Sequence, residues 1–194
     1  MTSALKSPYT SEADYLAAEL LSQEKSEYAG GQVFAMAGTS IRHNRIALNV
    51  AIALNTKASA DCRVSIADVK FKAKQLYYYP DVMVACDSNT DSHCETQPCL
   101  IVEVLSDSTE AIDRGEKMHN YQLVPALETY MLVSQSERRV DVYTRAGAFW
   151  RFESLVDDAE IALSCPEMRL SLAAIYERIV FDAPIDLAAD VPAN

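Results

Sequence analysis

The stretch Leu100-Ile101-Val102-Glu103-Val104-Leu105 decides the fold, because it is typical of a buried strand and yet carries one acid in its middle. A second stretch, Pro80-Asp81-Val82-Met83-Val84-Ala85-Cys86, places another acid at the start of an apolar run. Burying a bare carboxylate costs on the order of several kcal/mol, so each acid must be neutralised, paired or bound to a metal. Two such carboxylates on neighbouring strands suit a hard divalent cation. We therefore expect Asp81 and Glu103 to share one site.

Length and composition indicate a single globular domain. The chain has 194 residues, and its 49% hydrophobic content is enough for a substantial core. We expect the domain to span residues 1–182 and a loosely held tail to span residues 183–194. The net charge of -11 argues against a protein that binds nucleic acid by broad neutralisation of phosphates. It leaves room for an enzyme in which a cation and a local basic strip supply the positive charge.

The sequence carries no targeting or disulfide signal. Residues 1–10 lack the apolar core of a signal peptide, and no run has membrane-spanning length, so we expect a cytoplasmic protein without membrane contact. The five cysteines form no C-x-x-C pair, and reduced thiols are the expectation. A zinc site built from His93, Cys94, Cys86 and Cys99 is disfavoured, because these spacings match no familiar zinc motif.

Hydrophobic periodicity predicts a mixed sheet with helices on its faces. A capped helix precedes a hairpin at Gly30-Gly31, and Ser40 with its neighbour Thr39 can cap a long helix over 41–58. Further helices are predicted over 110–123 and 172–180. The predicted strands span residues 63–74, 77–86, 100–105, 130–134, 139–144 and 149–155.

The helix after Glu103 carries a second set of candidate residues. Asp113, Lys117 and Tyr121 are four residues apart and form one column on that helix. Packing the helix back onto the sheet could bring Lys117 to Asp81 and Glu103. An ordinary surface ion pair between Asp113 and Lys117 is the simpler interpretation, and spacing alone favours it.

One basic strip stands out in this acidic chain. Lys70, Lys72 and Lys74 share a face of the predicted strand over 63–74 with Asp68. The lysines could contact phosphates, or they could be solvated edge lysines that discourage aggregation. Asp68 is either an exposed acid or a supporting residue at the metal. A histidine near a helix start, as His43 is, usually has a structural role.

Several short segments together resemble the Uma-type restriction endonuclease family. That family is placed in the restriction-endonuclease-like superfamily, which is named for its PD-(D/E)XK motif. The resemblance runs in order from residue 9 to residue 181. The segments are Gly30-Gly31-Gln32-Val33-Phe34-Ala35-Met36-Ala37-Gly38, Arg42-His43-Asn44, Tyr79-Pro80-Asp81-Val82, Ile101-Val102-Glu103-Val104-Leu105-Ser106 and Asp113-Arg114-Gly115-Glu116-Lys117.

The resemblance implies an α/β, restriction-endonuclease-like core with a central mixed sheet flanked by helices. Asp81 and Glu103 would lie on adjacent strands and bind Mg²⁺ or Mn²⁺ together with the backbone carbonyl of Val104. The superfamily lysine normally stands two residues after the acid, where this chain has Leu105. In several branches a residue on the following helix takes over, and Lys117 matches that position.

The implied function is metal-dependent hydrolysis of phosphodiester bonds in nucleic acid, with DNA as the expected substrate. Uma-type sequences tend to carry glutamate where this chain has Gln32, while Glu27 lies nearby in a different register. The candidates for a supporting role at the site are Glu27, His43 and Asp68. A homodimer is plausible, because cleavage of both duplex strands often uses two copies of one site. Leu105, Gln32 and the acidic total favour the alternative, a catalytically inactive nuclease-fold module for binding or assembly.

Overall fold

The computed structural model describes residues 9–36, 38–89 and 91–181, so the predicted tail over 183–194 lies outside the described residues. No helix within these ranges is both long and apolar enough to cross a lipid bilayer. The helices are α1 (Glu12–Leu21), α2 (Ile41–Lys57), α3 (Glu110–Ile112), α4 (Met118–Gln122) and α5 (Leu172–Ile175), and a π-helical turn (Asp113–Lys117) joins α3 to α4. The strands are β1 (Ser26–Ala29), β2 (Gln32–Ala35), β3 (Arg63–Ile66), β4 (Lys70–Ala73), β5 (Leu76–Tyr78), β6 (Val82–Ala85), β7 (Cys94–Glu95), β8 (Leu100–Val104), β9 (Thr129–Val133), β10 (Arg139–Ala146), β11 (Phe149–Val156), β12 (Glu160–Ser164) and β13 (Glu167–Ser171).

The strands form two main sheets and a separate hairpin. The first sheet has the order β2-β1-β5-β4-β7, and the second has the order β11-β10-β9-β8-β6-β3. The pairs β8–β9 and β4–β7 are parallel and the other neighbours are antiparallel, so both sheets are mixed. The predicted α/β class with a mixed sheet is confirmed, and the structure adds a second sheet to it.

A turn over residues 67–69 splits the predicted strand 63–74 into β3 and β4, which belong to different sheets. The prediction of one strand is therefore wrong, and Asp68 lies in the turn instead of on a face shared with the lysines. The backbone N–H of Val69 closes the turn on the carbonyl of Ile66 at 3.2 Å. The turn contains no glycine or proline, and the polar alternation continues through it, so the local pattern held no signal for the break.

The predicted strand over 77–86 is also two strands. β5 ends in the first sheet at Tyr78, and β6 begins in the second sheet at Val82. Pro80 has no N–H to donate to a ladder, so the chain leaves one sheet and enters the other there. Asp81 consequently stands at the junction of the two sheets.

The C-terminal part differs from the prediction in two ways. Residues 160–171 form the hairpin β12–β13, which the sequence prediction missed, and α5 ends at Ile175 well before residue 180. A signal for the hairpin was present, because Ile161 and Leu163 are buried while their neighbours in β12 are exposed.

The inner strands β6, β8 and β9 of the second sheet are buried on both faces. On one face, Val82 and Val102 pack with Ile46 and other α2 residues in the largest apolar cluster. On the opposite face, Met83 and Ile101 pack with apolar side chains of α4 and the first sheet. Because side chains alternate along a strand, the odd-numbered residue Glu103 shares the face of Ile101 and is directed toward the helix that follows it.

Four of the five cysteines form disulfides in the structure. Cys62 is joined to Cys86 and Cys99 to Cys165 by disulfides, and Cys94 is free. The expectation of reduced thiols is therefore wrong for these four residues. They are 24 and 66 positions apart in the two pairs, and such long-range pairings have no local sequence signature.

The start of α2 depends on Ser40, and its removal should lower stability. The Ser40 hydroxyl accepts a hydrogen bond from the His43 N–H at 3.0 Å and donates one to Gln135 Oε1 at 2.8 Å. We expect Ser40→Ala to lower the free energy of unfolding by about 1 kcal/mol, which is a fall in Tm of about 2–4 °C. Thermal unfolding followed by circular dichroism measures this, with the exposed Thr39→Ala as the matched control. Equal Tm values for the two variants would contradict the capping role.

Candidate active site

Strand register brings the two predicted acids together. Val82 pairs with Val102 in the antiparallel β6–β8 ladder, so the preceding residue Asp81 stands beside Glu103. The Asp81 N–H donates to Glu103 Oε2 at 3.3 Å, and the Val104 N–H donates to Asp81 Oδ2 at 2.7 Å. The Glu103 carboxylate is deeply buried, whereas 19% of the Asp81 side chain is exposed. Asp81 therefore forms the solvent side of the pair.

Lys117 reaches this pair from the π-helical turn. Its Nζ lies 3.2 Å from Glu103 Oε1, 3.0 Å from Glu27 Oε1 and 3.5 Å from Asp113 Oδ1. Only 6% of Lys117 and 2% of Asp113 are exposed, so the interpretation of these two residues as a surface ion pair is wrong. Tyr121 extends the column and donates its hydroxyl to Glu103 Oε1 at 2.9 Å.

The N-terminal hairpin supplies a further carboxylate through Glu27. Besides its contact with Lys117, Glu27 Oε1 accepts a hydrogen bond from the Tyr79 N–H at 3.0 Å. Gln32 stands opposite Ala29 in the β1–β2 pair, and its side chain is exposed. The hairpin residue that reaches the buried cluster is therefore Glu27.

His43 lies in the first turn of α2, against Asp81. Its Nε2 is 3.3 Å from Asp81 Oδ2, and only 8% of the residue is exposed. The position of His43 near a helix start suggested only a structural role. In the structure its ring also borders the acidic pair. We call Glu27, His43, Asp81, Glu103, Asp113 and Lys117 the acidic cluster.

Comparison with protein families identifies the chain. The family model of Uma2, described as "putative restriction endonuclease", matches residues 13–174. The chain belongs to the Uma2 family. This confirms the resemblance drawn from the short segments.

Two relatives and one solved structure are similar to this chain. Two uncharacterized proteins of Synechocystis sp. (strain ATCC 27184 / PCC 6803 / Kazusa) are similar. The protein slr1290 is 40% identical over 141 residues, which cover 70% of this chain and 74% of the relative. The protein sll1609 is 32% identical over 161 residues, which cover 78% and 91%. A crystal structure described as "a putative nuclease belonging to DUF820", from Anabaena variabilis ATCC 29413, superposes with a TM-score of 0.70 at 16% identity, over 88% of this chain and 99% of that one. The two chains therefore share one fold.

Burial and mutual repulsion perturb the titration of this Uma2 cluster. Burial raises the pKa of Glu103 well above its usual range; Lys117 opposes the rise, and Asp113, Asp81 and Glu27 add to it. The pKa of Asp113 is raised for the same first reason. Burial would lower the pKa of Lys117, yet the charges of Glu103, Glu27 and Asp113 outweigh it and raise that pKa. Lys117 is therefore an ammonium ion at neutral pH.

Burial and neighbouring charges also have opposite effects on the pKa of His43. Burial lowers its pKa, but the hydrogen bond and the charge of Asp81, with help from the Val104 backbone, raise the pKa above its ordinary value. Four carboxyl groups then face one ammonium and one imidazole ring.

The donor set of the cluster fits a hard divalent cation. Asp81 and Glu103 offer carboxylate oxygens from neighbouring strands, and the Val104 backbone faces His43 at the same edge. Mg²⁺ and its chemical relatives prefer oxygen ligands and are commonly bound by one or two carboxylates. No sulfur ligand lies among the cluster residues.

Leu105 stands at the position where the superfamily usually has its lysine, and its side chain belongs to the core. It is 6% exposed and packs with Phe71, Ile101 and Tyr121. The ammonium group comes instead from Lys117, which is twelve positions further along the chain, on the helix side of the same face. The π-helical turn that carries Lys117 is a geometry often found at functional sites.

The other predicted supporting acid lies outside the cluster. Asp68 is highly exposed and forms an ion pair with Lys25. Its position in the turn before β4 explains this, since the predicted strand that would have aligned it with the site does not exist. The structure offers no contact between Asp68 and the acidic cluster.

Two of the three lysines in the predicted basic strip form ion pairs with glutamates of α1. Lys70 Nζ lies 3.8 Å from Glu19 Oε1, and Lys72 Nζ lies 3.7 Å from Glu12 Oε1. β7 pairs with β4 at Lys70 and Phe71 only, so Lys70 is not an edge lysine, whereas Lys72 lies beyond this pairing. Lys74 is exposed in a turn with φ 52°. Contact with phosphates stays a prediction, and Lys74 is the most accessible of the three lysines.

The sequence prediction gave a catalytic role to Lys117 and none to Asp113 and Tyr121, although Asp113 belongs to the acidic cluster and Tyr121 contacts it. The signal was available, because the two residues share the four-residue spacing of Lys117. What the spacing could not supply is burial. A surface column and a buried column look the same in sequence.

The raised pKa of Glu103 makes the cluster pH-sensitive in the absence of metal. A folded-state pKa above the unfolded value contributes stability that is full at low pH and lost as pH rises through the folded pKa. We therefore expect Glu103→Gln to match the wild type near pH 4.5 and to exceed it at pH 8, by about 1 kcal/mol or about 2–4 °C in Tm. Thermal unfolding in a chelator tests this.

The exposed Glu24→Gln variant is the matched control and should change Tm by an equal, small amount at every pH. A Glu103→Gln variant that is less stable than the wild type at pH 8 would show that the carboxylate is not under the repulsion described.

Proposed function

We propose that this Uma2 protein is a metal-dependent endonuclease that hydrolyses phosphodiester bonds of DNA in the cytoplasm, with Mg²⁺ or Mn²⁺ as the cofactor. The observation that carries the proposal is the acidic cluster, in which Asp81 and Glu103 meet at the sheet junction and Lys117 contacts Glu103. Membership of a restriction endonuclease family supports it. Cleavage of both strands of a duplex by one kind of site favours a homodimer.

Three groups of the chain would hold the cation: the carboxylates of Asp81 and Glu103 and the backbone carbonyl of Val104. When bound, Mg²⁺ or Mn²⁺ supplies positive charge beside the scissile phosphate and lowers the pKa of a coordinated water. The exposed edge of Asp81 gives this position access to solvent and substrate.

Lys117 acts as a fixed positive charge in this proposal. Its raised pKa keeps the ammonium protonated at neutral pH, so it stabilises negative charge on the reacting phosphate or orients the attacking water, and does not serve as a base. Glu27 and Asp113 hold Nζ from two further directions. These ion pairs fix the ammonium group beside Glu103, where charge develops.

Two further residues position the acids. His43 contacts Asp81 Oδ2, the oxygen that also accepts from the Val104 N–H, and so leaves the second oxygen of Asp81 for other partners. The Tyr121 hydroxyl donates to Glu103 Oε1 and fixes the orientation of that carboxylate. Both residues act through an acid and not on the phosphate.

Cleavage of supercoiled plasmid in Mg²⁺ or Mn²⁺ tests the assignment. We expect Asp81→Asn and Glu103→Gln each to lower the cleavage rate by at least about a hundredfold, because each removes a charged ligand from the site. Both variants should remain folded by circular dichroism.

Asp68→Asn is the matched control, since it makes the same chemical change on an exposed acid outside the cluster, and we expect it to cleave at the wild-type rate. Wild-type cleavage by Asp81→Asn would remove Asp81 from the mechanism.

A specific observation also favours the second candidate, a catalytically inactive module for binding or assembly. The Lys117 ammonium already contacts three carboxylates and neutralises part of the charge that would attract a cation. The net charge of -11 adds to this, because it opposes the approach of DNA. Metal binding separates the two candidates.

Calorimetry with Mn²⁺ provides that measurement. We expect the wild type to bind one Mn²⁺ per chain through the acidic cluster, and the Asp81→Ala/Glu103→Ala variant to lose this binding. Asp68→Ala should bind as the wild type does. Absence of Mn²⁺ binding by the folded wild type, with and without DNA, would favour the inactive module.

A further inference from the structure

A second cluster of side chains lies at the other end of the central sheet. Asp81 precedes β6 and Glu103 is near the end of β8, whereas Cys86 follows β6 and Cys99 precedes β8. Since the two strands are antiparallel, the cysteines and the acids occupy opposite ends of the same pair. Two more cysteines complete the set, which we call the thiol quartet: Cys62, Cys86, Cys99 and Cys165.

The sulfur atoms of the quartet converge between the two disulfides as well as within them. Cys86 Sγ lies 3.5 Å from Cys165 Sγ and 3.9 Å from Cys99 Sγ. One sulfur from each of these three residues fits within the coordination sphere of a single metal ion. A tetrahedral zinc site with Zn–S bonds of about 2.3 Å has neighbouring sulfurs about 3.8 Å apart. The observed separations across the disulfides bracket this value.

The backbone holds three of the four cysteines in place independently of the sulfur bonds. The Cys99 N–H donates to the Val84 carbonyl at 2.8 Å, and the Cys62 N–H donates to the Ser59 carbonyl at 3.0 Å. Cys165 lies in the two-residue turn of the β12–β13 hairpin, after the pairing of Ser164 with Glu167. Release of the sulfur bonds therefore leaves the thiols near one another.

We propose that the reduced thiol quartet is a zinc site. Each disulfide accepts two electrons and two protons from one molecule of a dithiol reductant, which itself becomes a disulfide. Zn²⁺ then replaces one proton on each of the four thiols and is bound by four thiolates. The sulfur atoms of Cys86, Cys99 and Cys165 already lie within 4.8 Å of one another, and Cys62 joins them by side-chain rotation from its place beside Cys86.

The surroundings suit a thiolate–zinc site. Cys99 is 6% exposed, and the quartet belongs to the large apolar cluster or packs against it, which limits access of water to the metal. The Ser59 hydroxyl lies 3.3 Å from Cys62 Sγ and can donate to the thiolate, as outer hydrogen-bond donors do at metal sites. This cysteine set differs from the one that includes His93 and Cys94, which sequence spacing disfavours.

Zinc and the nuclease metal would not compete for the two ends of the sheet. Thiolates select soft or borderline cations such as Zn²⁺, whereas carboxylates select Mg²⁺ and Mn²⁺. The inference about the thiol quartet therefore stands or falls independently of the proposed endonuclease activity.

Cobalt spectroscopy and thiol counting test the zinc site on the full chain. The protein is reduced with a dithiol, freed of reductant without air, and titrated with Co²⁺. We expect the thiolate-to-cobalt charge-transfer band and the visible absorption of tetrahedral Co²⁺ to saturate at one ion per chain and to vanish when Zn²⁺ is added. A thiol reagent should detect all five cysteines in the reduced protein and one of them, Cys94, after Zn²⁺ is added.

Variants identify the ligands. Cys165→Ser should abolish the tetrahedral thiolate spectrum or convert it to a weaker one, whereas Cys94→Ser, the matched control outside the quartet, should keep it. Asp81→Ala/Glu103→Ala should also keep it, which separates this site from the acidic cluster. A reduced wild type that is folded by circular dichroism but gives no charge-transfer band and no thiol protection would overturn the proposal. So would equal loss of the band in Cys94→Ser and Cys165→Ser.

Discussion

The ammonium group of Lys117 lies among carboxylates from three separate parts of the chain, namely Glu27 of β1, Glu103 of β8 and Asp113 of the π-helical turn. Taking any one of these charges out of water costs on the order of several kcal/mol, and contact with the opposite charge offsets part of that cost. The hairpin, the central sheet and the helix after β8 are thus held in one arrangement by a single buried charge cluster. The same cluster forms the candidate active site.

The site lies where the chain passes from the first sheet to the second. Pro80 ends the ladder of the first sheet, and the next residue, Asp81, begins the approach to β6 in the second. The N-terminus of α2 adds His43 from one side, and the hairpin adds Glu27 from another. A junction of this kind collects residues from distant segments on rigid elements, which is how precise functional sites are usually supported.

The two metal sites proposed at the ends of the β6–β8 pair differ in their ligand atoms. One end presents carboxylate oxygens, and the other presents four sulfur atoms in apolar surroundings. Metal selectivity in proteins depends on ligand type more than on raw affinity, so one pair of strands can hold both sites without confusion between them. The short strands connect the two sites through one buried ladder.

The sequence by itself determined the elements whose signals are local. Capping serines, the Gly30-Gly31 turn and the apolar runs around Asp81 and Glu103 predicted both long helices, the hairpin and the acid-bearing strands, and the short motifs predicted the family. These features depend on residues within a few positions of one another, so periodicity and turn chemistry are enough to find them.

Only the tertiary structure decided which of these residues meet. It divided two predicted strands between the sheets and buried Lys117. It brought Glu27 into the acidic cluster, in a chain that has glutamine at position 32, and left Asp68 exposed. It also brought the four cysteines of the thiol quartet together. Alternation and helical spacing describe one segment at a time, and they are the same for a buried and a solvated column. Burial and long-range pairing depend on the packing of the whole chain, which local pattern does not encode.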